Sequence, residues 1–224
     1  ELITFLLKLI NSQNESSILV GRAIWCISKL LSIVRNDDEK LKQIFSTISS
    51  ALYNPSSDLS VKLVAVQCIS NICQRLLLMK INEFDNDYII NVYDELINLL
   101  SLVNDDTIFI PIECLLYLSK INKNKSLYVP LKHINPILKI YATKYEDVYL
   151  GNKLLDLIKL WCEDKQSANA LLDKFIPIAI KVFEEFYKEN GKEGQNSNFE
   201  FVKKTVMTEH SNPDIKTSVD LLPN

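Results

Sequence analysis

Glycine is scarce: 4 of the 224 residues, at positions 21, 151, 191 and 194. That excludes a turn-rich β sandwich, and with it the glycine-cradled nucleotide and nucleophile-elbow motifs, since only Gly191 and Gly194 lie close together. Positive charge is not in excess, because 25 Lys and Arg face 28 Asp and Glu for a net charge of −3. A basic field for gripping nucleic acid is therefore absent. No charge-free apolar run approaches the roughly 18 residues of a membrane span, so no membrane partner is expected. Glu1 opens directly into ELITFLLKLI, without the basic start and small-residue cleavage site of a secretory signal.

Histidine is also rare. Only His133 and His210 occur, and neither has a second histidine three or four residues away, whereas a zinc site needs about four ligands. No metal or cofactor is expected, and His133 is placed facing solvent or a helix neighbour. The five cysteines, Cys26, Cys68, Cys73, Cys114 and Cys162, are odd in number and form no C-x-x-C pair. Each sits among apolar helical neighbours, where a thiol acts as a small hydrophobe, so buried reduced cysteine is the expectation. A reducing compartment follows, and the sequons at Asn14 and Asn124 are then chance matches. The adjacent acids Asp37-Asp38, Asp105-Asp106, Glu146-Asp147 and Glu184-Glu185 fall mainly at helix starts. Successive side chains on a helix point about 100° apart, so none of these pairs is a catalytic dyad. No catalytic residue is nominated, and the chain is read as a non-enzyme.

What is abundant is aliphatic: 33 Leu and 26 Ile. Apolar positions recur at three- and four-residue steps between short polar breaks, which predicts an all-α chain. The spacing predicts helices at 1–10, 17–34, 38–53, 58–78, 86–102, 107–122, 130–144, 147–162 and 167–188. Capping residues are expected at Ser16 or Ser17, Asp37, Ser57 or Asp58, Asp85, Asp105 and Ser167. Short connections make the chain a succession of antiparallel hairpins.

The hairpins repeat. RAIWCISKLL (22–31) superposes on VAVQCISNIC (64–73), with Cys-Ile-Ser returning after 42 residues; IECLLYLSKI (112–121) and NKLLDLIKLW (152–161) follow in the same phase. This period matches the two-helix HEAT solenoid. A single hairpin cannot enclose its own apolar face, so stacking on neighbours must supply the core. Residues 1–188 are read as about four and a half such repeats, 189–212 as a polar loop or insert, and 213–224 as the start of a further repeat. ELITFLLKLI is apolar with no helix before it, so the natural chain is expected to extend further. Trp25, Tyr117 and Trp161 are expected to fill the core, with the Arg22 guanidinium beside the Trp25 ring.

In such a solenoid the second helices of successive repeats line one wall, here those near 38–53, 86–102, 130–144 and 167–188. Their polar faces are expected to display Asp87, Asn91, Asp94, Glu95 and Asn98 in one repeat and Asp173, Glu184 and Glu185 in another. An acidic wall attracts basic protein partners with a strong salt dependence. Lys132, Lys139, Lys174 and Lys181 on the same helices dilute that charge.

One stretch carries a family likeness. In ILVGRAIWCISKLL the string Gly21-Arg22-Ala23-x-Trp25 resembles the mid-chain repeat of importin-β superfamily receptors, in the branch of importin nine. SDLSVKLVAVQCISNIC resembles that branch's next repeat, and the likeness spans about residues 18–190, strongest in the first 60. The resemblance implies a nuclear import receptor, a long run of HEAT repeats that shuttles between cytoplasm and nucleus. It also implies basic cargo such as core histones, release by the GTPase Ran, and pore passage on Phe-Gly nucleoporins. Ran contacts in these receptors concentrate in amino-terminal repeats that this chain lacks. The competing reading is a HEAT scaffold or adaptor of a cytosolic enzyme, microtubule or coat complex.

Overall fold

A computed structural model of the chain describes residues 1–12, 14–34, 38–79, 86–121, 131–144, 146–163 and 165–189. Among these residues the secondary structure is entirely helical: α1 (Leu2–Ile10), α2 (Ser17–Leu30), α3 (Asp38–Tyr53), α4 (Leu59–Leu78), α5 (Asn86–Leu99), α6 (Phe109–Ile121), α7 (Leu131–Lys144), α8 (Val148–Trp161) and α9 (Lys165–Glu189). Each boundary lies within about three residues of the expectation from apolar spacing, apart from the end of α2, whose last turn tightens into a 3-10 helix over Leu31–Ile33.

The ends have local causes. Ser16 caps α2, its side chain accepting from the Leu19 N–H at 3.4 Å, and Asp147 caps α8 by accepting from the Leu150 N–H at 3.0 Å. Asp58 stands at the start of α4, but its side chain makes no capping bond. Asp105 does not cap α6. Asn104 makes the turn before that helix instead, accepting from the Thr107 N–H at 3.1 Å and its hydroxyl at 2.6 Å. Pro111 then occupies the first turn of α6, where a missing N–H costs nothing. α5 stops at Leu99 rather than 102, because Ser101 and Leu102 donate to carbonyls three residues back and tighten the chain. Ser167 lies inside α9 rather than at its start. Asp37, Asp85, the segment 190–212 and the stretch from Pro213 onward lie outside the described residues.

The chain divides into two compact units, Glu1–Asp173 and Lys174–Asn224. Within the first, the helices fall in two rows. α2 packs on α4, α4 on α6 and α6 on α8; in the second row α1 packs on α3, α3 on α5 and α5 on α7. Across the rows, α1 lies on α2, α3 on α4, α5 on α6 and α7 on α8. The main helix pairs are therefore α3–α4 and its counterparts, not the α2–α3 pairing that grouping the helices from the first repeat motif suggests. In the second unit, the described part of α9 carries a Lys181–Glu185 ion pair at 3.7 Å, one turn apart, with Val182 buried and Phe183 exposed.

Burial shows how regular the first row is. α2 buries Ala23, Ile24 and Ile27, and the 3-10 turn that ends it adds Leu31 and Val34; 42 residues on, Ala65, Val66, Ile69, Cys73 and Leu76 are buried in α4. α6 repeats the α4 pattern 46 residues later, with Pro111, Ile112, Cys114, Leu115, Leu118 and Ser119 in the places of Ala65, Val66, Cys68, Ile69, Ile72 and Cys73. Cys114, not Leu116, is thus the counterpart of Cys68, which moves the third helix two residues from the superposition read in sequence. α4 is long and apolar enough to cross a membrane by length and composition, but α2, α3 and α6 all pack on it. Cys68, Cys73 and Cys114 are buried and all five cysteines are free. Burial pushes the Cys68 thiol up to about 12 and raises those of Cys73, Cys114 and Cys162 as well.

The aromatics divide. Trp161 is buried at the end of α8, as expected of a core residue, and Tyr117 is half-buried. Trp25 is 49% exposed, which corrects its assignment to the core. The cation over its ring is Lys29, at 5.7 Å and one turn later, rather than the expected Arg22.

Candidate protein-binding face

The expected binding residues sit mainly on α5, a helix of the second row. Asn91 and Asn98 are exposed, since α5 turns Ile89, Val92, Tyr93, Leu96 and Leu99 inward and leaves these two on the opposite side. Asp87 lies in the first turn of α5, and its side chain is outside the described set.

Asp94 and Glu95 have other work. Lys62 Nζ of α4 donates to Glu95 Oε1 at 2.6 Å, both side chains largely shielded from water, so this pair ties the second row to the first. Asp94 Oδ1 lies 2.5 Å from His133 Nε2, linking α5 to α7 within the second row. His133 is buried beside the Tyr93 ring, with centroids 6.0 Å apart, and its Nδ1 has no partner among the described residues. These two acids therefore act as struts between helices, not as free charges on an acidic wall. The exposed surface of α3, α5 and α7 is mixed: Glu39 bonds Lys42 at 3.1 Å, and Gln43, Asn91, Asn98, Asn135, Lys139 and Thr143 are exposed on it. Asp173 is exposed on α9, while Glu184 and Glu185 are half-buried in the second unit, where Glu185 meets Lys181. Lys132 has no described side chain, and Lys174 is half-buried.

Beneath this face lies a buried polar junction. Trp161 Nε1 of α8 donates to Ser119 Oγ of α6 at 3.2 Å, Tyr93 of α5 bonds the same hydroxyl, and Ser119 donates to its own helix at the Leu115 carbonyl, 2.8 Å away. One serine thereby satisfies the polar tips of two large aromatic side chains from different helices. Burial raises the Tyr93 hydroxyl above its ordinary range, against the opposing pull of its bonds to Ser119 and Trp161. A phenol held neutral there is a structural pin. Arg75 works similarly, donating to the Val34 carbonyl where the 3-10 turn ends.

Among the described residues, no three His, Cys, Asp or Glu side chains gather in a way that would hold a metal ion. His210 is outside the described residues.

The partners missed in sequence are Lys62 and Ser119, whereas His133, expected to face solvent or a helix neighbour, meets Asp94 and Tyr93 of the neighbouring α5. For His133 a signal existed, because His133, Ile134, Ile137 and Leu138 follow helical spacing and are all buried. Lys62 and Glu95 are 33 residues apart, and nothing local in either segment joins them. Comparison of the chain with models of known protein families and with curated proteins finds no match in either case.

Proposed function

We propose that the chain is part of an α–α superhelix of HEAT-type repeats that works by binding other proteins, and that the whole belongs to a nuclear transport receptor of the importin-β type. The observation that carries the scaffold reading is the shared register of α2, α4 and α6, whose equivalent positions are buried 42 and then 46 residues apart. Helices that repeat in this way gain stability from their neighbours, which supports a binding scaffold. The transport reading adds the likeness of Gly21-Arg22-Ala23-x-Trp25 to the importin repeat. On this reading the platform takes basic cargo such as core histones, Ran releases it, and Phe-Gly nucleoporins meet the outer helices as the receptor shuttles between cytoplasm and nucleus. The strut roles of Asp94 and Glu95 leave Asn91 and Asn98 as the cargo-facing residues of α5.

The test is capture by the immobilised protein of three probes: purified core histones, Ran loaded with a non-hydrolysable GTP analogue, and a Phe-Gly repeat peptide. Capture of histones that weakens with salt, together with capture of the Phe-Gly peptide, is the expected result. Failure of all three, with capture instead of a phosphatase catalytic subunit, tubulin or a coat protein, replaces the transport reading by a cytosolic adaptor.

A further inference from the structure

α2 turns Ala23, Ile24 and Ile27 inward, and its opposite side carries Ile18, Arg22, Trp25 and Lys29 at steps of three and four residues. The four therefore form one stripe along the helix, and all are exposed. Neighbouring helices do not cover this side. The counterparts of Arg22, Trp25 and Lys29 at the 42-residue repeat are Val64, Gln67 and Asn71, and these stay partly accessible although α4 packs on both α2 and α6. Asn71 of α4 donates to Ser28 at 2.7 Å, so an amide side chain meets α2 next to Lys29. Charge here is of one sign. Residues 16–34 and 59–79, which hold α2 and α4, contain Arg22, Lys29, Lys62 and Arg75 and no acid, in a chain of net charge −3. Lys62 is engaged with Glu95, and Arg75 with the Val34 carbonyl. Arg22 makes no ion pair among the described residues, and Lys29 lies over the Trp25 ring.

We infer that the outward stripe of α2 docks an acidic segment of a partner protein, in which an apolar side chain seats on Trp25 between carboxylates that meet Arg22 and Lys29. The two cations are seven residues apart, about 10 Å along the axis at 1.5 Å per residue. Carboxylates at positions i and i+7 of a second helix laid along the first match that spacing. Packing does not account for the exposed indole, whereas Trp and Arg are the residue types that carry most of the energy at protein interfaces. Charge complementarity selects an acidic partner, because a basic segment would meet Arg22 and Lys29 and find no acid in α2 or α4 to receive it. A nucleic acid fits less well. The chain as a whole is negative, and two cations release too few counterions to hold a polyanion. This inference stands apart from the transport reading, which places basic cargo on α5 in the second row.

Fluorescence anisotropy of labelled probes titrated with the 224-residue chain tests this. The probe is a helix-forming peptide with Glu at i and i+7 and Leu at i+3 and i+4; the controls are the same peptide with Lys in place of Glu, and an oligothymidylate. The acidic peptide is expected to bind and the Lys peptide not to. Its affinity is expected to fall about tenfold or more in the double variant Arg22→Glu, Lys29→Glu, and about fivefold or more in Trp25→Ala. It should also weaken severalfold as salt rises from about 50 to about 200 mM. No binding of the acidic peptide overturns the inference, as does equal binding of the Lys peptide or an affinity unchanged in either variant. Tighter binding of the oligothymidylate that the double variant abolishes gives the stripe to nucleic acid and overturns it too. Acrylamide quenching supplies a readout that needs no variant. Trp161 is already buried, so a bound peptide that seats on Trp25 lowers the quenching of the chain's accessible indole, and unchanged quenching at saturation contradicts the inference.

Discussion

α4 and α2 carry nearly the same helical face, yet only α4 is covered on both flanks. Ala65, Val66, Ile69 and Cys73 match Ala23, Ile24, Ile27 and Leu31 in burial, because each set faces the second row. Cys68 and Ile72 do not match Cys26 and Leu30, because α4 has α2 beside it and α2 has no described helix in that place. Burial here is a property of stacking order as much as of residue type. The same side chain contributes differently at an interior and at an outer position, as nearest-neighbour energetics of repeat proteins require.

The largest change that sharpens this contrast is at the buried junction between α6 and α8. Trp161→Ala removes a fully buried indole and the donor that Ser119 accepts, and it is expected to cost about 3 to 5 kcal/mol of unfolding free energy in urea titration. Next come the struts. Lys62→Met strips Glu95 of its shielded partner, and Asp94→Ala leaves the buried His133 ring without its acceptor, each costing about 1 to 3 kcal/mol. If either strut variant unfolds at the wild-type urea midpoint, that contact does not hold its two helices together.

Alkaline titration tests the interior thiols. Cys68 has a folded value of about 12 against an ordinary value of 9.0, so below pH 9 both states keep the proton and stability is full. Between pH 9 and 12 the unfolded chain ionises first, and stability falls by about 1.4 kcal/mol per pH unit for such a thiol. Cys68→Ala should reduce the slope of stability against pH over that range by one proton's worth, and an unchanged slope would show that the thiol is not shielded. The smallest effect belongs to the exposed indole: Trp25→Ala is expected to change stability by no more than about 0.5 to 1 kcal/mol, the value of its contact with Lys29 and little else.

Helix positions were legible because apolar side chains at three- and four-residue steps follow directly from a one-sided core, and the Cys-Ile-Ser trio exposed the 42-residue spacing. The frame of α6 was misread, since Leu115, Leu116 and Leu118 offer apolar residues on several sides and only Cys114 marks the phase. Trp25 and Trp161 look alike in sequence. One lies on the outward side of α2 and the other between α6 and α8, a difference set by helices far away in the chain. The partners of two acids of the expected wall were hidden for a related reason. Charge counts do not show that Glu95 meets Lys62 or that Asp94 meets His133, because both partners come from other helices. Asn91 and Asn98 were correctly placed outward, being offset from the apolar stripe of their own helix.

The stacking account is tested most directly by truncating one equivalent aliphatic position in three successive helices: Leu30→Ala in α2, Ile72→Ala in α4 and Leu118→Ala in α6, each followed by urea unfolding of the 224-residue chain. Ile72→Ala and Leu118→Ala are expected to cost about 2 to 4 kcal/mol each, and Leu30→Ala less than about half of that, because part of its surface already faces water. Equal costs at all three positions would contradict the claim that neighbouring helices, rather than each helix alone, hold the fold.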